Sequence, residues 1–207
     1  AYLDAIGMAA AAVSHLTARI GDGADALRRG RISHANRAAQ ALGVAAGMQC
    51  RDAAERLRRA PAARAAPPPY AEGRYLLRHA AGEPEVWGLD SIGKLVAADA
   101  GRILVIGSHG ALHGGRAESA LGVDARAAVF NDAGVGIEGV GITRLPVLAE
   151  RGIAAATAAC ESARIGDARS MWATGLLSHV NAPAARLGAA PGMSVVEFAA
   201  VAAGGPA

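Results

Sequence analysis

The chain has 207 residues, 52% hydrophobic and only 3% aromatic, enough apolar material for one large domain or one domain with a small appendage. The net charge is +3 and the pI about 9.3, but the basic residues are dispersed arginines with a single lysine, Lys94. Aromatic stacking platforms are scarce, which argues against single-strand binding, and no nucleic-acid partner is expected. No apolar run approaches the ~20 residues of a membrane span.

Residues 1–60 read as a partial first repeat, because much of this stretch returns later. Residues 18–22 and 163–167 both spell Ala-Arg-Ile-Gly-Asp, 145 residues apart. Ser33-His34-Ala35-Asn36 and Ser178-His179-Val180-Asn181 share that offset. Across 7–48 and 152–193, 19 of 42 positions are identical without a gap, and we read them as an internal duplication. The chain starts inside a copy, so roughly 50 further residues are expected upstream in the natural protein. Residues 51–60 then read as an arginine-rich amphipathic helix.

Residues 61–101 hold an Ala/Pro linker at 61–69 and two strands, 73–79 and 85–92, turned at Gly82-Glu83-Pro84 into a hairpin. Residues 102–207 read as the second repeat with the strand–helix units that lead into it. The apolar run 102–107 ends in glycine and predicts a buried strand. A helix is expected over 111–121, a strand over 126–131, and a helix over 139–151, where Pro146 marks a kink or a late start. A third strand is expected over 153–159. A loop follows, then a helix to about Gly175, and a short last helix ending at Gly188. Asn36 and Asn181 stand where N-caps belong. This alternation predicts an α/β fold with a mainly parallel, Rossmann-like sheet and an added hairpin.

Three polar clusters fall at the strand ends, where open parallel sheets bind ligands. The first is Gly107-Ser108-His109-Gly110 with His113, Gly114 and Gly115. Its imidazoles offer a base, and its glycine amides could hold an anion. The second is Asn131-Asp132-Ala133-Gly134, whose carboxylate could orient His109 or instead cap a helix. The third is Arg164-Ile165-Gly166-Asp167, read either as an ion pair pinning a loop or as an arginine for a substrate anion. Ser178-His179 could fold onto the same rim, although its occurrence in both copies favours a structural role. No set of His, Cys, Asp and Glu has metal-ligand spacing, and Cys50 and Cys160 form no disulfide framework, so a reducing cytoplasm is expected. The abundance of Ala, Gly and Arg suggests a GC-rich bacterial genome.

Two local resemblances add alternatives. Gly134-Val135-Gly136-Ile137-Glu138-Gly139, between an expected strand and helix, with Glu161 22 positions after Gly139, resembles the Rossmann dinucleotide fingerprint and implies NAD or FAD binding. Asp132 at its mouth would oppose a pyrophosphate. A strand ending in Ser-His-Gly and a later one ending in Ala-Ala-Cys resemble the caspase-like cysteine peptidases, which would make His109 and Cys160 a dyad.

The leading expectation is a small-molecule enzyme performing acyl-type hydrolysis or proton abstraction. His109 would be its acid or base, with Asp132 and Ser108 beside it. Gly110, Asn131, Gly134, Arg164, Asp167 and His179 would bind a small, anionic substrate. The competing readings are an NAD- or FAD-dependent oxidoreductase and a non-catalytic binding or structural protein. Assembly into a homo-oligomer is compatible with each.

Overall fold

The computed structural model describes residues 2–63, 65 and 71–204. They fall into two compact units divided between Tyr70 and Ala71, with Gly136–Glu138 counted in the first. Of the expected linker 61–69, residue 64 and residues 66–69 lie outside the described residues. Among the described residues no helix is long and apolar enough to cross a membrane.

The first unit opens with α1 (Tyr2–Ala5) and β1 (Ala11–Val13). It continues through α2 (Gly23–Arg29), β2 (Ile32–Ala35), α3 (Arg37–Ala41) and α4 (Cys50–Leu57). Strands β1 and β2 form a two-stranded antiparallel sheet. Its small core gathers Ile32, Ala39, Val44 and Ala53. Asp22 caps α2 by accepting from the Asp25 amide at 2.9 Å. Asn36 caps α3 through the Ala39 amide at 3.0 Å.

The second unit begins with the hairpin β3 (Arg74–Arg78) and β4 (Val86–Leu89), antiparallel at one edge of a six-stranded sheet. Strands β4, β5 (Ile103–His109), β6 (Ala127–Asn131) and β7 (Ala154–Ala158) run parallel. Strand β8 (Leu177–Val180) closes the other edge antiparallel to β7. The spatial order is the sequence order, so the sheet has no point where the order reverses and opens the crevice that dinucleotide folds use. Helix α5 (Arg144–Glu150) packs on β7. Helices α6 (Ala168–Thr174) and α8 (Val195–Ala203) pack on β4, β5 and β6, and α7 (Ala182–Arg186) packs on β7.

Alternating strand residues feed two cores. Ile103, Val105, Ala127, Val129 and Ala156 meet Met171, Val195 and Phe198. Leu104, Ile106, Ala128, Phe130 and Ala155 meet Leu121, Leu145 and Leu148. This period-2 division is what a sheet covered on both faces requires.

Two expectations are corrected, and one helix is added. The stretch 111–121 holds two short 3-10 turns, His113–Gly115 and Ala117–Ser119, because Gly114 takes φ of 58° and interrupts any longer helix. The stretch 139–151 divides into a 3-10 segment, Ile137–Ile142, and α5, with Pro146 in the first turn of α5 where a missing amide costs nothing. Helix α8 was not anticipated. Ser194 and Glu197 start it with reciprocal capping bonds.

The elements of the two matched segments also coincide at the offset of 145. Helices α2 and α6, strands β2 and β8, and helices α3 and α7 occupy equivalent residues. The bridges Arg31–Gln49 and Leu176–Ser194 are equivalent too.

Candidate functional site

The loops leaving β4, β5, β6 and β7 meet at one end of the parallel sheet, tied by hydrogen bonds. The Gly110 amide donates to Asn131 O at 2.8 Å, and the Asp132 amide to Ala158 O at 2.9 Å. The Ile92 amide donates to Ser108 Oγ at 2.9 Å. The Gly166 amide reaches Gly107 O at 2.8 Å.

Most polar side chains at this rim serve the framework. Asn131 is fully buried. Its Nδ2 donates to Ala163 O at 3.1 Å, and its Oδ1 accepts from the Ala133 amide at 2.9 Å. Asp132 Oδ1 accepts from the amides of Gly134 at 2.9 Å and Cys160 at 3.0 Å. Among the described residues no hydrogen bond joins Asp132 to His109, and Asp132 caps no helix. Asp167 caps α6 through the Ser170 amide at 2.8 Å. Arg164 is exposed and makes no ion pair with Asp167 or with any other described residue. In the first unit Arg19 pairs with Glu138 at 2.7 Å, not with Asp22.

The rim glycines are there for close approach. A Cβ on Gly107 would lie 2.7 Å from Asp90 O and 2.8 Å from Asp167 N, and one on Gly110 would strike Gly141 O. The Gly134 turn has the same inward economy. Ala133, Gly134, Val135 and Gly136 all take positive φ. The amides of 133, 134 and 135 go to the Asn131 side chain, the Asp132 side chain and Asp132 O. Nothing is left in those three amides to cradle a pyrophosphate.

His109 is different. It is half-buried at the end of β5, and its Nδ1 accepts from the Ala111 amide at 3.3 Å. Its Nε2 makes no hydrogen bond among the described residues. The His113 ring sits edge-on, centroids 5.6 Å apart. Burial, then the charge of Arg144, then His113 hold the His109 pKa below the ordinary imidazole value. The lowered value favours the neutral ring, and an Nδ1 that accepts an amide is the form that carries its proton on Nε2.

Arg144 escaped the sequence reading. It is fully buried, and burial brings its pKa down to about 10. Nε donates to His109 O at 3.3 Å, and Nη1 donates to Ser119 O and Ala120 O. Nη2 has no partner. An arginine in an apolar helix start gives no signal of this role. The 110–120 loop folds over it and supplies its carbonyl acceptors.

The Cys160 thiol is pushed up to about 11 by burial, with Glu161 and Asp132 adding to the shift. That is the opposite of an activated nucleophile, and among the described residues no hydrogen bond joins Cys160 to His109 as a peptidase dyad would require. His179 stands opposite Thr157 across β7 and β8, and its buried Nδ1 has no hydrogen-bond partner among the described residues. Among the described residues no cluster of three or more His, Cys, Asp and Glu could hold a metal. Among the described residues, depressions of about 520, 340 and 530 Å³ lie on the first unit, and these are not lined by His109, Asp132 or Arg164. The chain matches no family model, no curated protein and no solved structure.

Proposed function

We propose that this is a small-molecule enzyme with its site at the rim of the parallel strands, and that His109 is the side chain that meets the substrate. The observation carrying this reading is the free Nε2 of a neutral imidazole whose other nitrogen is already committed to the Ala111 amide. Such a ring offers an N–H to a carbonyl or carboxylate oxygen. It acts as a hydrogen-bond donor or general acid, as acyl-type hydrolysis or an enolising proton abstraction requires. Asp132 and Asn131 become framework in this reading, and Ser108 anchors the loop after β4 by accepting the Ile92 amide. The expected setting, from cysteine usage and composition, is the bacterial cytoplasm.

The inward commitment of Asn131 and Asp132 favours a second reading, a non-catalytic binding protein using the same imidazole. One experiment addresses both. A thermal-shift and turnover screen of small carboxylates, esters and thioesters should yield ligands whose effect disappears in His109→Ala and partly returns in His109→Gln, which restores a side-chain N–H. Turnover of any hit supports the enzyme, and binding without turnover supports the second reading. Hits that bind His109→Ala undiminished refute both.

We further propose that residues 7–48 and 152–193 are copies of one duplicated element. The support is the matched capping side chains, strands and bridges at one constant offset.

A further inference from the structure

Arg144 is the largest fully buried side chain among the described residues, and it carries a charge that nothing there balances. All 18 Asp and Glu residues are described, and none of them makes an ion pair with its guanidinium. What it holds instead are carbonyl oxygens. Nε donates to His109 O at 3.3 Å and Nη1 to Ser119 O and Ala120 O, while the Phe130 ring lies 5.2 Å from the guanidinium carbon. Carbonyl dipoles and a ring face lower the cost of burying a cation without neutralising it. Nη2, with two N–H groups to give, has no partner among the described residues. A buried charge is ordinarily paired, so the vacant side of this guanidinium is a place for an anion.

That side lies next to His109. In a planar guanidinium Nη2 shares an edge with Nε, and Nε is the nitrogen bonded to the His109 carbonyl. Backbone bonds keep the two segments in place. The Arg144 amide donates to Gly110 O at 2.9 Å, and the Leu112 amide to Thr143 Oγ1 at 2.9 Å. The charge of Arg144 is felt by the imidazole, as the second cause after burial of its lowered pKa. Of the residues that meet the guanidinium, Ala120 and Phe130 are buried, while His109 and Ser119 keep partial exposure. The Ser119 hydroxyl is already committed to Arg116 O and the His113 amide. The approach from solvent that meets an uncommitted donor is therefore the one past the imidazole.

We infer that the ligand of this rim is a small monocarboxylate, held with one oxygen on Arg144 Nη2 and the other on the Nε2–H of His109. The inference rests on the proposal that His109 meets the substrate, and it adds the chemical class. Charge and donor count choose that class. One unbalanced positive charge is neutralised by a monoanion, whereas a phosphate dianion would replace a buried cation with a buried excess of negative charge. Two uncommitted donor groups match the two oxygens of a planar carboxylate and leave the further oxygens of a phosphate without donors.

The test is an NMR titration of the whole chain with sodium acetate, set against acetamide, sodium chloride and sodium phosphate. Acetate should move the Arg144 Nε–H and His109 ring signals together and saturably, and the three controls should not. Arg144→Lys keeps the charge without the fork and should weaken acetate by about tenfold. His109→Ala, which removes the second donor, should weaken it by about tenfold as well. The wild-type signals decide the matter even where Arg144→Lys fails to fold. No saturable movement at Arg144, an equal response to acetamide, chloride or phosphate, or undiminished binding by a folded Arg144→Lys overturns the inference. Neutral esters that bind through His109 while acetate leaves Arg144 untouched would overturn the carboxylate and keep the His109 proposal. Acetate that moves Arg144 yet binds His109→Ala undiminished would overturn the His109 proposal, and with it the two-point hold inferred here.

Discussion

The segment around α2, β2 and α3 and the one around α6, β8 and α7 make the same turns with the same bonds in different surroundings. Each starts a helix on an aspartate cap, Asp22 or Asp167, and each carries an asparagine, Asn36 or Asn181, that caps the next helix. The asparagines also reach back to the strand, Asn36 to the Ala10 amide and Asn181 to the Ala155 amide, both at 3.0 Å. What differs is the packing outside the motif. In the second unit the strand lies inside a six-stranded sheet and every residue of β7 is buried, whereas β1 stays partly open. Local polar chemistry sets the shape of the turn, while the neighbours set how much burial that shape supports.

The packing difference gives the largest expected effect. Phe198 in α8 is fully buried, and the residue 145 positions earlier is Ala53, itself buried in α4. Phe198→Ala should destabilise the second unit by ~3–5 kcal/mol in chemical denaturation. Ala53→Phe is no mirror image. It forces a ring into the small core around Ile32 and Val44 and should destabilise the first unit by ~1–3 kcal/mol. A gain in stability from Ala53→Phe would show that the first core is underpacked.

The two asparagines come next. Asn181 is buried and serves the amides of Ala155 and Ala184 and the carbonyls of Ile153 and Leu145. Asn36 serves Ala10, Ala39 and Met8 from a half-buried position. Removing the side chain strands buried groups in one case and groups near water in the other. Asn181→Ala should cost about 3 kcal/mol and Asn36→Ala about 1 kcal/mol. Equal losses would mean that water does not reach the Asn36 partners.

The third contrast depends on pH. Asp25, buried in α2, accepts the Arg19 amide at 2.9 Å, and its counterpart Ser170 accepts the Arg164 amide at 3.0 Å through a hydroxyl. That amide, followed by the guanidinium groups of Arg29 and Arg28, lowers the Asp25 pKa to about 2 despite burial. The folded value lies below the unfolded one, so the carboxylate contributes fully above the ordinary aspartate pKa of 3.8 and loses its contribution as pH falls through about 2. Amide exchange in α2 should accelerate over that window while exchange in α6 does not. Asp25→Ser should make the two helices respond alike.

These contrasts also show what was legible beforehand. The offset, the asparagine caps and the three central parallel strands could be read because they depend on local side chains and on short apolar runs. The 111–121 stretch was misread because alanine is compatible with a helix, and only the left-handed backbone at Gly114 ends it. Helix α8 was missed although its Ser194–Glu197 signature is local. At the rim, His109 was legible as a polar residue ending an apolar strand. The inward roles of Asn131 and Asp132 were not, since their partners, Ala163 and Cys160, lie about 30 residues away in sequence. Arg144 stayed hidden for the same reason. Its acceptors are backbone carbonyls of another loop, which carry no residue identity.

Position 160 supplies the smallest contrast. The first segment has exposed His15 there, and the second has half-buried Cys160. With its pKa at about 11, the thiol is about one part in a thousand ionised at pH 8, against roughly a quarter for a free cysteine. Alkylation by iodoacetamide should therefore run about two orders of magnitude slower than for a free thiol, and its rate should still be climbing tenfold per pH unit at pH 9. Burial is the first cause of the shift and Asp132 only a later one, so Asp132→Asn should recover part of the rate and leave the thiol well short of free-cysteine behaviour. Full recovery would mean that the carboxylate, rather than the closed packing at the end of β7, keeps the sulfur protonated. The two segments would then differ at this position in charge more than in burial.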